Sequence, residues 1–187
     1  MDRREAIRKA TLAMGGTLSA PVMAGLLQGC TAKSTPDWVP QFLSVEQGAM
    51  VAVIAEMIIP ATDTPGAKDA GVPEFIDQML ADVFQKEDKD RFRQGLDDFN
   101  NQVQADQSKD FIDCEPELQN QLLTGLAEKA QSEGPQPGGK TFFQMMKELT
   151  IVGFFTSEAG ATQVLEYVEI PGKYEGCIPL EGKAWAI

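Results

Sequence analysis

Along most of this chain apolar side chains return every third or fourth position. Ala49, Met50, Val53, Ile54, Met57 and Ile58 keep helical spacing. Ser44 stands ahead of them with Gln47 three residues on, the signature of a capping box. Pro60 ends that helix, because it has no N–H to donate and its ring collides with the preceding turn. "IIPATDTPGAKDAGVPEFID", from Ile58 to Asp77, then reads as a corner between helices. Pro73 suits the first residue of the next helix, whose stripe is Phe75, Ile76, Met79, Leu80 and Val83. Asp88 to Gln107 is strongly charged, yet Phe92, Leu96, Phe99 and Val103 line one side of it. Pro116 opens another helix with Leu118, Leu122, Leu123, Leu126 and Ala130 inside. Thr141 to Phe155 is the most apolar run and reads as the central helix. Its inward stripe is Phe142, Met145, Met146, Leu149, Val152 and Phe155, which turns Phe154 away from the main stripe. "TSEAGATQVLEYV" predicts one more short helix, and from Ile170 onward the chain is an irregular tail rich in Gly and Pro. Neither a period-two alternation nor a fixed-period repeat appears. The pattern predicts an all-α single domain of five or six helices, over residues 44–187.

The first thirty residues follow a different logic. Arg3, Arg4, Arg8 and Lys9 precede an uncharged stretch, Ala10 to Leu27, that is diluted by Gly, Ser, Thr and Pro. It is too short and too weakly apolar for a membrane span and reads as a cleavable export signal, residues 1–29. The adjacent Arg3 and Arg4 resemble a twin-arginine signal, although Ala6 and Ile7 stand where an aromatic and an aliphatic residue usually follow. "LLQGC" resembles a bacterial lipobox, which makes Cys30 the expected lipidation site and mature N-terminus. A buried N-terminal helix that happens to end in Gly-Cys is the alternative. Residues 30–43, with Pro36 and Pro40, read as a tether. The expected location is periplasmic, held at a membrane by lipid. Twin-arginine export carries folded proteins and is used when a chain, or its partner, takes up a cofactor before crossing.

Composition narrows the chemistry. The formal net charge is -12, which opposes binding to phosphate backbones and anionic headgroups. Without residues 1–29, which carry four basic and two acidic residues, it is -14. The chain has no histidine, so the commonest general base, metal ligand and haem ligand are all missing. It holds three cysteines, and with Cys30 lipidated Cys114 and Cys177 remain. In an oxidising compartment a Cys114–Cys177 disulfide is expected, and two free thiols is the alternative.

Two local patterns imitate functional motifs. "GPQPGGKT", Gly134 to Thr141, matches a P-loop letter for letter. It follows a predicted helix rather than a strand, and Pro135 and Pro137 supply no N–H to a phosphate. "DKDRFRQGLDDF" starts like a calcium loop but lacks the mid-loop Gly and the terminal Glu. Neither site is expected to bind.

The order of "IIPATDTPGAKDAGVPEFID" and, much later, "FFTSEAGATQVLEYVEIPGKYEGC" resembles the gluconate 2-dehydrogenase subunit 3 family over roughly Ser44 to Pro179. The resemblance implies a small helical subunit with no cofactor of its own. It implies a large FAD-containing partner of the glucose-methanol-choline oxidoreductase class, and often a cytochrome c, with haem c, as electron acceptor. The small subunit would assist maturation and twin-arginine export of the large one. No catalytic, cofactor or metal residue is expected in this chain. In the corner, Thr62, Asp63 and Thr64 can bond the exposed backbone, and Asp63, Thr64 and Lys68 are candidates for contact with the large subunit. Phe154 is a further contact candidate. The alternative function is a free-standing envelope lipoprotein that binds a small molecule or another envelope protein.

Overall fold

The computed structural model describes residues 38–133, 139–170, 172, 177, 179 and 182–186. All of them belong to the unit Ser34–Ile187. Five α-helices make its body: α1 (Val45–Ile58), α2 (Val72–Asp82), α3 (Lys86–Gln107), α4 (Pro116–Glu133) and α5 (Phe142–Thr156). A 3-10 turn, Phe111–Asp113, joins α3 to α4, and a π-helical turn, Gly160–Val164, follows α5. The all-α class expected from the periodicity is the class observed. Among the described residues no helix is long and apolar enough to cross a membrane.

Helix boundaries follow local chemistry. Ser44 caps α1 with a complete capping box: its hydroxyl accepts from Gln47 N–H, and Gln47 Oε1 accepts from Ser44 N–H at 3.0 Å. α5 has the same device in Thr141 and Gln144. Gly71, with φ 72°, caps α2 in the left-handed region, and Pro73 sits in its first turn. The calcium-like run lies within α3, where Asp88 pairs with Arg91 and Asp90 with Lys86 and Arg93. The P-loop-like run is preceded by a helix, α4, and not by a strand, as expected, and residues 134–138 lie outside the described residues.

α5 is the central element and packs on each of the other four α-helices. Met146 and Thr150 are fully buried, and Met145, Leu149 and Phe142 nearly so. Thr150 satisfies its hydroxyl inside its own helix, donating to the Met146 carbonyl at 2.8 Å. Two glycines set the close approaches. A Cβ on Gly95 of α3 would lie 2.4 Å from Phe142 Cβ, and one on Gly153 of α5 would lie 2.6 Å from Phe75 Cδ1. Phe92 and Phe142 close the α3–α5 seam edge to face, with centroids 5.1 Å apart.

Asp77 is one of two buried polar side chains among the described residues, 2% exposed. Its carboxylate accepts three backbone N–H bonds, from Gln41 at 2.6 Å, Phe42 at 3.2 Å and Leu43 at 2.9 Å. That ties the segment entering α1 to α2 and leaves none of these donors bare. A second polar cluster holds the α3–α4 connection. Asn100 and Gln104 donate to Asp110, while Asn100 Oδ1 accepts from Phe111 N–H at 2.9 Å.

The predicted short helix after Ser157 is a single π-turn that runs into strand β1 (Glu166–Tyr167). β1 pairs in parallel with β2 (Trp185–Ala186), placing Glu166 opposite Trp185. The tail thus returns to the body through a two-stranded ladder, and Lys183 donates to the Gln163 carbonyl. Side-chain periodicity could not announce strands of two residues, which are fixed by backbone pairing alone.

Candidate functional site

The corner between α1 and α2 is built around a residue its composition does not advertise. Glu56 sits in the last turn of α1 and turns its carboxylate under the loop. One oxygen accepts from Ala61 N–H at 3.0 Å and the other from Lys68 N–H at 2.9 Å. Gly66 lies beneath them, where a Cβ would come within 2.3 Å of Glu56 Oε1. Only glycine fits that gap. Ala67, fully buried, donates its N–H to the Ile59 carbonyl and accepts from Val72 N–H, while Thr62 N–H reaches the Thr64 carbonyl at 3.0 Å. The loop is therefore a clamped corner, as its Pro and Gly content predicts. The expected clamp was the side chains of Thr62, Asp63 and Thr64. The observed clamp is Glu56, because a side chain projecting from the finished helix spans both limbs of the loop at once.

Of the contact candidates, Asp63 and Lys68 are exposed and Thr64 is half-buried. The corner holds the backbone of Lys68 while leaving its ammonium group in solvent. Phe154 is different. It is 2% exposed and belongs to the core, so it is not available to a partner. At about 100° per residue the inward face of α5 passes from Leu149 to Thr150 and then to Gly153 and Phe154. Val152 and Phe155, expected inside, fall outside that arc. They are 49% and 38% exposed, and Ile151 beside them is 39% exposed. Phe155 stands edge-on to buried Phe154, with centroids 5.3 Å apart. Reading a stripe forward from Leu149 as i, i+3, i+6 drifts off a 3.6-residue helix, which is how the sequence misassigned these three positions.

The result is an apolar ridge, Ile151, Val152 and Phe155, on the last turns of α5. The contact of Gly153 with Phe75, in the first turn of α2, puts this ridge at the same end of the bundle as the clamped corner. Beyond it the π-turn leads to Tyr167, 56% exposed, with Trp185 on the neighbouring strand at 45%. The end of the molecule thus combines a rigid polar loop with exposed aromatic and aliphatic groups, a composition suited to protein contact.

The remaining predicted positions fall as follows. Cys114 and Cys177 are both free thiols, the first buried and the second exposed, so the expected bridge is not formed in this structure. Cys114 Sγ instead lies 3.4 Å from the Asp110 carbonyl. Burial pushes this thiol's pKa up, with neighbouring Asp113, Asp110 and Glu115 adding to the effect and Lys109 opposing it. It is held neutral, the opposite of an activated nucleophile. Among the described residues no group of three or more metal-binding side chains gathers. Arg3, Arg4 and Cys30 lie outside the described residues.

Comparison with protein families finds a match to the model described as gluconate 2-dehydrogenase subunit 3 over residues 45–172, from the first residue of α1 to the start of the tail. Comparison with curated proteins gives no match, and comparison with solved structures gives none.

Proposed function

The chain belongs to the gluconate 2-dehydrogenase subunit 3 family, and from that premise we propose that it is a non-catalytic accessory subunit of an FAD-dependent sugar or sugar-acid dehydrogenase. Its role is to bind the large catalytic subunit, assist its maturation and carry it through twin-arginine export. The observation behind this reading is the end of the bundle that carries both the clamped corner and the exposed ridge of Ile151, Val152 and Phe155. Three large apolar groups on one helical arc, backed by a tightly packed core, form a stiff surface that loses little entropy on docking. Asp63 and Lys68, exposed on the corner at that end, would supply polar contacts that orient a partner.

The export half of the proposal rests on Arg3, Arg4 and the "LLQGC" sequence. Cys30 would carry lipid, and the residues between it and Gln41 would space the body from the membrane. FAD would reside in the large subunit and haem c in a cytochrome c where one is present.

Expression of the large subunit with and without this chain tests the role. Dye-linked dehydrogenase activity in the periplasm is expected to rise several-fold when the chain is present. Equal activity in both strains would refute the accessory role. Dehydrogenase activity from this chain alone would refute its non-catalytic assignment.

A further inference from the structure

α3 and α4 are neighbours in sequence, yet they do not close on each other along their outer faces. Two hollows, of ≈ 190 and ≈ 280 Å³, share Phe99, Gln102, Leu126 and Lys129 and so run together as one groove between the helices. On α3 it is lined by Phe99, Gln102, Val103 and Asp106, at positions i, i+3, i+4 and i+7. On α4 it is lined by Leu122, Gly125 and Leu126, one turn apart. The floor is apolar and the rim is polar.

Gly125 is the telling residue. In the interior of a helix glycine is the least favourable residue after proline. Gly95 and Gly153 have a packing reason, since a Cβ on either would strike a phenylalanine of another helix. A Cβ on Gly125 meets nothing within 4 Å. It needs no left-handed backbone either, since it lies in the middle of α4. Among the described residues nothing uses the missing side chain, and the space above it opens into the groove.

We propose that this groove seats an amphipathic helix of the catalytic subunit, which crosses α4 at Gly125 with backbones in close approach. The inference rests on the accessory-subunit reading and adds a second docking surface, separate from the ridge on α5. A helix fits the shape: its ridges would enter a groove whose walls repeat at helical spacing. Asp98 and Asp106 stand on the rim against Lys129, on a chain of net charge -12. The seated helix therefore carries Lys or Arg beside its apolar stripe. The same charge repels a second copy of this chain.

Capture of the flavin-bearing large subunit of the same organism, co-expressed with tagged chain, tests this. Gly125→Ala is expected to raise the thermal midpoint of the isolated chain, because alanine favours the helix and the space is open. Gly125→Met, which fills the groove, is expected to cut capture at least tenfold while the isolated chain still melts cooperatively. Asp98→Lys with Asp106→Lys, both exposed, is expected to cut capture several-fold at low salt. Capture within twofold of wild type by both the methionine and the charge variants overturns the inference alone. Failure of the wild-type chain to capture the large subunit overturns the accessory reading and this inference with it. Loss of a homodimer in the methionine variant, with capture unchanged, assigns the groove to a second copy and overturns the inference.

Discussion

Two carboxylates and a thiol do most of the work that single residues do here. Asp77 accepts from three consecutive backbone N–H groups, and Glu56 accepts from two that lie on opposite limbs of a loop. Removing such an acceptor strands its donors, at about 1–3 kcal/mol for each buried one. Asp77→Ala is expected to lower unfolding stability by about 3 kcal/mol, read as a fall in urea midpoint at unchanged slope. An unshifted midpoint would show that water replaces the carboxylate without loss. Cys114 gives a prediction with a pH sign. Folding raises the pKa of its thiol above the ordinary 9.0, so the folded chain holds its proton after the unfolded chain has lost it. The stability it contributes is full below about pH 9 and declines as the pH rises beyond that. Under native conditions at pH 8 an alkylating reagent is expected to label exposed Cys177 well before Cys114. Equal rates would contradict the burial.

At the scale of elements, α5 separates stability from contact along a single helix. Phe154→Ala removes a buried ring and is expected to cost about 3–5 kcal/mol. Phe155→Ala is expected to cost less than about 1 kcal/mol yet reduce the yield of co-purified large subunit. Denaturation and capture measured on the same two variants check this, and a reversed order would return the sequence-based assignment of these phenylalanines. That contrast also shows what was legible beforehand. The capping box at Ser44, Pro60, Pro73 and Pro116 and the stripes of α1 to α4 mark helices through short-range rules, and the helices stand close to where those rules put them. A one-residue error in the phase of α5 cannot be detected from composition, because Phe154 and Phe155 are the same residue. Glu56 and Asp77 were hidden for another reason: an acidic residue in an amphipathic helix looks like any solvated charge until the loop it holds is folded against it. The two-residue strands of the tail depend on a partner about twenty residues away and leave no local trace.

The five helices surround one core, whereas Arg3, Arg4 and Cys30 lie ahead of it in sequence. Changing Arg3 and Arg4 together to Lys is expected to leave the melting of the mature chain unchanged and strand it in the cytoplasm, with the large subunit if that has no signal of its own. Fractionation followed by immunoblotting reads both outcomes, and a periplasmic variant would remove the arginine pair from the export route. Intact mass of the membrane-extracted protein is expected to show residues 1–29 missing and a lipid adduct on Cys30. The three bonds at Asp77 acquire a mechanical meaning in that setting. They decide where the leash stops being leash. With Gln41 to Leu43 fastened to α2, no more than residues 31–40 separate an anchor at Cys30 from the body, and ten residues span about 35 Å at most. A large subunit docked on this body would hover within that height of the bilayer, and any tug along the leash would be felt first by α2.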